Sequence, residues 1–156
     1  MLIAPTWNTN FYKYNLHKKL AFILKKKNIS FHFRPHPMSV KKKEFSLNEF
    51  KELKIEINNQ FNLDFYNYKI LISDWSGLIF EFYVLNKDVL LIDTDQKILN
   101  KDYILFKNQP AEIRFRKEIF KNFLPVDLND LINEVQNLLS NEKKNLNKID
   151  KFYFEI

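Results

Sequence analysis

The chain has 156 residues, of which 46% are apolar, 16 are phenylalanine, one is glycine and none is cysteine. That length and apolar content suit one domain with a continuous core and exclude a disordered chain, while the lack of cysteine excludes disulfides and thiolate metal sites. A formal net charge of +6 favours an anionic partner without choosing among a phosphorylated metabolite, a nucleic acid and an acidic membrane. No apolar run approaches the roughly 20 residues of a membrane span, and the first residues lack a signal-peptide pattern, so the chain is expected to be soluble and cytoplasmic. The lysine runs 25–27 and 41–43 read as solvated helix ends or loops.

Leu2, Ile3 and Ala4 form a short apolar run closed by Pro5, which reads as a buried strand ending in the loop Pro5-Thr6-Trp7-Asn8. Tyr12, Leu16, Leu20, Ile23 and Leu24 recur at helical spacing and predict one amphipathic helix over residues 12–27, capped by Asn8, Thr9 or Asn10. Residues 29–34 alternate and predict a second strand, stopped by the prolines of Arg34-Pro35-His36-Pro37. A short helix over 45–53 with Ser46 as its cap, a third strand over 54–57 and a single turn over 64–68 follow. Ile70-Leu71-Ile72 has the character of a central parallel strand, residues 77–86 of a helix and Val89-Leu90-Leu91-Ile92 of another buried strand closed by Asp93. Residues 94–126 show no period beyond a short helix over 116–122. Asp127 is placed to cap a helix whose Leu128, Leu131, Ile132, Val135, Leu138 and Leu139 share one face, and residues 141–152 read as a last helix or tail.

Strands alternating with helices imply right-handed crossovers and a parallel sheet covered on both faces, so the expected fold is a single Rossmann-like α/β domain over residues 1–156. Ligands of such sheets bind beyond the carboxyl ends of the strands, and the loops 5–8, 34–37 and 74–77 all follow strands.

Asp74-Trp75-Ser76-Gly77 holds the only glycine and opens a helix. Backbone N–H groups at a helix start favour a phosphate, Gly77 lets the backbone approach a ligand closely, and Ser76 either binds phosphate or caps the helix. His36 is aimed by two prolines and can donate to a diphosphate oxygen, with Arg34 as a second cation or a structural ion-pair partner. His32 and His36 would stand about 13 Å apart in an extended chain at roughly 3.3 Å per residue, so no metal pair is expected and His32 reads as a packing or surface residue. Glu81 is the only charge among Leu78, Ile79, Phe80, Phe82, Tyr83 and Leu85; it needs a partner, which is either a ribose hydroxyl, the positive helix end or a lysine. Trp7 and Trp75 either stack on a base or wall the pocket, or they pack in the core, which is the usual place of tryptophan.

In order, Ala4-Pro5-Thr6-Trp7, Arg34-Pro35-His36-Pro37 and residues 72–82 resemble three segments of the CDP-glycerol glycerophosphotransferase family of teichoic-acid and capsule polymer synthesis: APTW, K/R-x-HP and TDYSS-x-x-F-[DE]-F. The match covers about residues 1–93. The resemblance implies the nucleotide-binding, C-terminal half of a two-domain GT-B fold. It further implies transfer of glycerol phosphate or a related unit from a CDP-activated donor to a polymer acceptor, with no cofactor and no metal at the reacting centre. By the same resemblance His36 would be the catalytic residue that binds the donor diphosphate. Ser76 and the Gly77 amide would hold its phosphates, Glu81 would face the ribose, and Thr6, Arg34 and Asp74 would complete the binding set. Trp75 stands where that family has tyrosine, and Gly77 where it has a second serine.

The family takes its catalytic base from its other domain, so the sequence is expected to be a truncated or excised piece that binds nucleotide and turns over poorly. Peripheral membrane association would come from missing segments. Three other readings stand beside this one: a UDP- or CMP-sugar glycosyltransferase domain, a hydrolase with Ser76 at a nucleophile elbow, and a basic polyanion or membrane-surface binder. Asp74 occupies the elbow's glycine position and no histidine follows Ser76, against the hydrolase; the aromatic residues form no stacking platform, against nucleic acid.

Overall fold

A computed structural model describes residues 1–7, 9–55, 57, 65–96, 102, 105 and 111–141. Its strands are β1 (Leu2–Ile3), β2 (His32–Phe33), β3 (Ile70–Ser73), β4 (Asp88–Ile92) and β5 (Lys121–Phe123). They form one sheet in the order β2-β1-β3-β4-β5, parallel at every pairing. The helices are α1 (Asn10–Lys13), α2 (Leu16–Lys26), α3 (Pro37–Lys41), α4 (Leu47–Glu52), α5 (Leu78–Val84), α6 (Ala111–Glu118) and α7 (Leu128–Ser140), with one 3-10 turn at Phe65–Asn67.

The continuous apolar runs of β3 and β4 follow from burial on both faces. Alternate residues feed two cores. Ile3, Phe33, Ile70, Ile72, Leu90 and Ile92 pack with Phe11, Leu16, Leu20, Leu24, Phe50, Leu131 and Val135. Leu2, Leu71, Val89 and Leu91 pack with Leu78, Ile79, Phe82, Tyr83 and Phe120 on the opposite face. Each fully buried Leu or Ile contributes about 1.5–3 kcal/mol, and a one-residue slip of β3 would exchange its two faces, so the register is strongly fixed. The five-stranded parallel sheet with helices around it is the Rossmann-like α/β architecture. The chain leaves β1 towards β2 and returns on the other side at β3, which puts the reversal of strand order between β1 and β3.

Several boundaries differ from the sequence pattern. The helix expected over 12–27 is two helices, broken at Asn15, whose φ of 55° lies in the left-handed region. Thr9 caps α1, accepting from the Phe11 N–H. Ser46 precedes α4 but makes no side-chain capping bond. Of the strand expected over 54–57, the described residues show one bridge, between Phe33 and Ile57, and Lys54 turns left-handed at φ 49°. Within 94–126 a strand was missed: β5 exposes Lys121 and Asn122 and so carries no apolar signature. The helix there ends at Glu118, earlier than expected. On α7, Leu139 is 39% exposed and leaves the buried face. The helix or tail expected over 141–152 lies outside the described residues beyond Asn141.

The turns reveal an economy of glycine. Asn28, Lys43, Lys54 and Asn86 follow the last residues of α2, α3, α4 and α5, each with φ between 49° and 55°. Glycine is the usual choice at that left-handed position. Here asparagine and lysine fill it, and the single glycine is elsewhere.

Candidate functional site

The loops that leave β1, β2, β3 and β4 emerge together at the carboxyl edge of the sheet, as the parallel pairing requires. At the reversal point the Ala4 N–H donates to the Ile72 carbonyl at 2.9 Å, and the Ser73 hydroxyl donates to the Ala4 carbonyl at 2.6 Å. These bonds fix the first loop against the third.

Asp74 is the hub. Its side chain is fully buried, and its carboxylate accepts from the Thr6 N–H at 2.7 Å, the Thr9 hydroxyl at 2.9 Å and the Thr94 hydroxyl at 3.3 Å. The Trp75 N–H adds a further bond. Burial raises its pKa above the ordinary carboxylate range, and the surrounding donors oppose that rise. One carboxylate thus ties the ends of β1, β3 and β4. The donors that surround it come from the chain itself, so Asp74 holds the loops of this edge together.

Arg116, on α6 and 4% exposed, closes the hub from below. It donates to the Asp74 carbonyl at 2.5 Å and the Ile92 carbonyl at 3.4 Å, lies 3.5 Å from the Asp93 carboxylate and stacks 4.0 Å from the Trp75 ring centroid. The Trp75 indole N–H donates to the Thr94 carbonyl at 2.9 Å. Burial lowers the Arg116 pKa, with Asp93 and Asp74 countering. Sequence reasoning missed both Arg116 and Thr94. An arginine in the last turn of a helix carries no local mark of burial, and the sequence pairs neither residue with Asp74.

Two residues further on the environment reverses. Ser76 is half-buried and Gly77 exposed. The Ser76 hydroxyl accepts from the Leu78 N–H at 3.3 Å, while the N–H groups of Ile79 and Phe80 bond the carbonyls of Ser76 and Gly77. The Gly77 N–H makes no hydrogen bond among the described residues. Its φ of −60° and ψ of −20° are ordinary helical values, and a Cβ built there would meet nothing within 4 Å. Neither backbone conformation nor packing within the chain calls for glycine at this position.

His36 is the N-cap of α3, and Pro37 occupies the first helical position, where proline's fixed φ suits the helix. The His36 Nδ1 accepts from the Met38 N–H at 3.1 Å, which leaves the proton of the neutral ring on Nε2. The Trp7 ring centroid lies 6.2 Å from that imidazole, and the Lys42 ammonium lies 4.3 Å above the Trp7 ring. Arg34 is half-buried and bonds the Ile3 carbonyl through its backbone N–H at 2.8 Å; its guanidinium makes no hydrogen bond or ion pair among the described residues.

The structure therefore brings Thr6, Arg34, His36, Asp74, Ser76 and Gly77 to one edge, with the β1 loop touching both flanks: Thr6 and Thr9 meet Asp74, and Trp7 approaches His36. β2 and β3 stand two strand spacings apart, about 10 Å. Glu81 is exposed, so it needs no partner from the chain; it sits one turn after Gly77 on the solvent face of α5, beyond the buried Leu78, Ile79, Phe82 and Tyr83. Neither tryptophan is fully buried; both line this edge. His32 is spent on packing, its Nδ1 2.7 Å from the Tyr68 hydroxyl. Among the described residues no group of three metal-ligating side chains occurs, and no helix is long and apolar enough to cross a membrane. A groove of about 840 Å³ between Lys69, Lys87, Lys121 and the end of α7 opens at the opposite edge of the sheet and contains none of these residues.

A family model described as CDP-glycerol:poly(glycerophosphate) glycerophosphotransferase matches residues 1–155. No curated protein and no solved structure matches the chain.

Proposed function

We propose a function from a plain premise: the chain belongs to the CDP-glycerol:poly(glycerophosphate) glycerophosphotransferase family and is a glycerophosphotransferase-type domain. In our reading its carboxyl edge binds the nucleoside diphosphate of a CDP-activated donor, carrying glycerol phosphate or a related unit destined for a cell-surface polymer such as teichoic acid or capsule. The observation that carries this reading is Gly77. A chain that builds its left-handed turns from asparagine and lysine keeps its one glycine where φ is −60°, the amide is uncommitted and the space outside is open. A ligand that must come against bare backbone accounts for that choice.

The chemistry follows from the groups at hand. The terminal hydroxyl oxygen of the acceptor attacks the glycerol-bearing phosphorus; a new P–O bond forms as the bond to the bridging oxygen breaks, and CMP leaves. The His36 Nε2–H, whose tautomer the Met38 amide fixes, donates to the diphosphate and stabilises charge developing on the leaving phosphate. Ser76 and the Gly77 amide hold phosphate oxygens, Arg34 supplies a further cation, Glu81 faces the ribose, and Thr6 and Asp74 keep the loops in place. The acceptor's proton passes to a base on a second Rossmann-like domain, as the family resemblance implies, with the reaction on the cytoplasmic side of the membrane.

Titration calorimetry with CDP, CDP-glycerol and UDP tests this. The expected result is CDP binding that His36→Ala and Ser76→Ala each weaken by tenfold or more, with UDP weaker than CDP. Equal binding of any polyanion, indifferent to both substitutions, would favour a basic surface binder instead.

A further inference from the structure

We propose that Lys42 is a phosphate-binding residue of this site. The inference rests on the donor-site reading above and adds a cation to it. Lys42 lies at the far end of α3 from His36, yet its ammonium lies 4.3 Å over the ring of Trp7, which is the neighbour of His36 at 6.2 Å. Helical side chains lean towards the helix N-terminus, so a lysine in this place sends its charge back along the helix to the sheet edge. The residue forms no ion pair or hydrogen bond through its ammonium among the described residues, whereas Lys18 and Lys121 are paired with Glu49 and Glu134.

A cation held on an aromatic face, unpaired with a carboxylate among the described residues, over a ring that itself neighbours the His36 imidazole, is a preformed half of an anion site. Lysine suits this role because its compact ammonium acts as a point charge towards a phosphate oxygen without requiring a planar match. The neighbours Lys41 and Lys43 lack this arrangement: both are exposed, and Lys43 turns left-handed at φ 53° beside Phe45 and Leu47. All three lysines of the run are exposed, and Lys42 is the one held against an aromatic ring among the described residues.

The anion is a phosphate, either of the donor diphosphate or of a glycerol phosphodiester in the acceptor. Wild-type protein, Lys42→Met, Lys42→Arg and His36→Ala are titrated with CDP, cytidine and a short oligo(glycerol phosphate). Lys42→Met should lose roughly tenfold or more in affinity for CDP if the donor is the source, or for the oligomer if the acceptor is, with cytidine unchanged and Lys42→Arg recovering most of the loss. Its melting temperature should stay close to the wild type, since the side chain is exposed. If His36→Ala weakens CDP but Lys42→Met binds every ligand like the wild type, or loses cytidine and CDP equally, Lys42 is no phosphate ligand and the donor site stands without it. If the wild type binds neither CDP nor the oligomer, the donor site falls and Lys42 with it.

Discussion

Asp74-Trp75 and Ser76-Gly77 are adjacent pairs in one loop, and they live in opposite surroundings. The first pair is tied down: the buried carboxylate of Asp74 takes four donors, its carbonyl takes Arg116, and the half-buried Trp75 stacks on Arg116 while its indole N–H donates to the Thr94 carbonyl. The second pair is open, with an exposed glycine whose amide bonds nothing among the described residues. The difference teaches how a loop presents bare backbone without collapsing. Rigidity is supplied upstream, in buried hydrogen bonds, so that the open part carries little structural duty beyond the Ser76 bond to the Leu78 amide.

Substitutions on the two sides should therefore separate stability from binding. Asp74→Asn should have the largest effect on stability, on the order of 3 kcal/mol by urea denaturation, because an amide replaces acceptors that face three or more buried donors. It should also flatten the pH profile. The folded state holds the Asp74 proton more tightly than the unfolded chain, so this group makes stability fall as pH rises from about 3.9 through its higher folded pKa, and the substitution removes that slope. Arg116→Ala should cost about 2 kcal/mol and expose Trp75, read as a red shift in tryptophan emission. A loss of CDP affinity with unchanged stability in either variant would break the division between frame and open face. On the open side, Ser76→Ala should cost only about 0.5–1 kcal/mol, the value of a capping bond to the Leu78 amide, while weakening CDP.

Much of this architecture was legible in the sequence. The unbroken runs at Ile70 and Val89 announced central parallel strands, and the loops at Pro5, Arg34 and Asp74 were placed at one edge by alternation alone. What escaped was whatever depends on tertiary context. β5 is an edge strand whose exposed Lys121 and Asn122 show no periodicity, and Asn15 breaks a helix that its apolar spacing would continue. In the site, residue types could not divide Asp74 from Ser76 and Gly77, because a carboxylate before a helix suits a ligand and a buried hub equally. Only the donors from Thr6, Thr9 and Thr94 decide, and they come from two other loops. The lysine run 41–43 is exposed throughout, as its composition implies, and only the tertiary contact with Trp7 sets Lys42 apart.

The central claim is that Gly77 is kept for a ligand and not for the fold. Gly77→Ala, followed by both thermal melting and CDP titration, tests it most directly. The new methyl group meets nothing within 4 Å and φ is already helical, so the account predicts stability unchanged or raised by about 0.4–1 kcal/mol, together with a tenfold or greater loss of CDP affinity. Destabilisation with CDP affinity intact would contradict it.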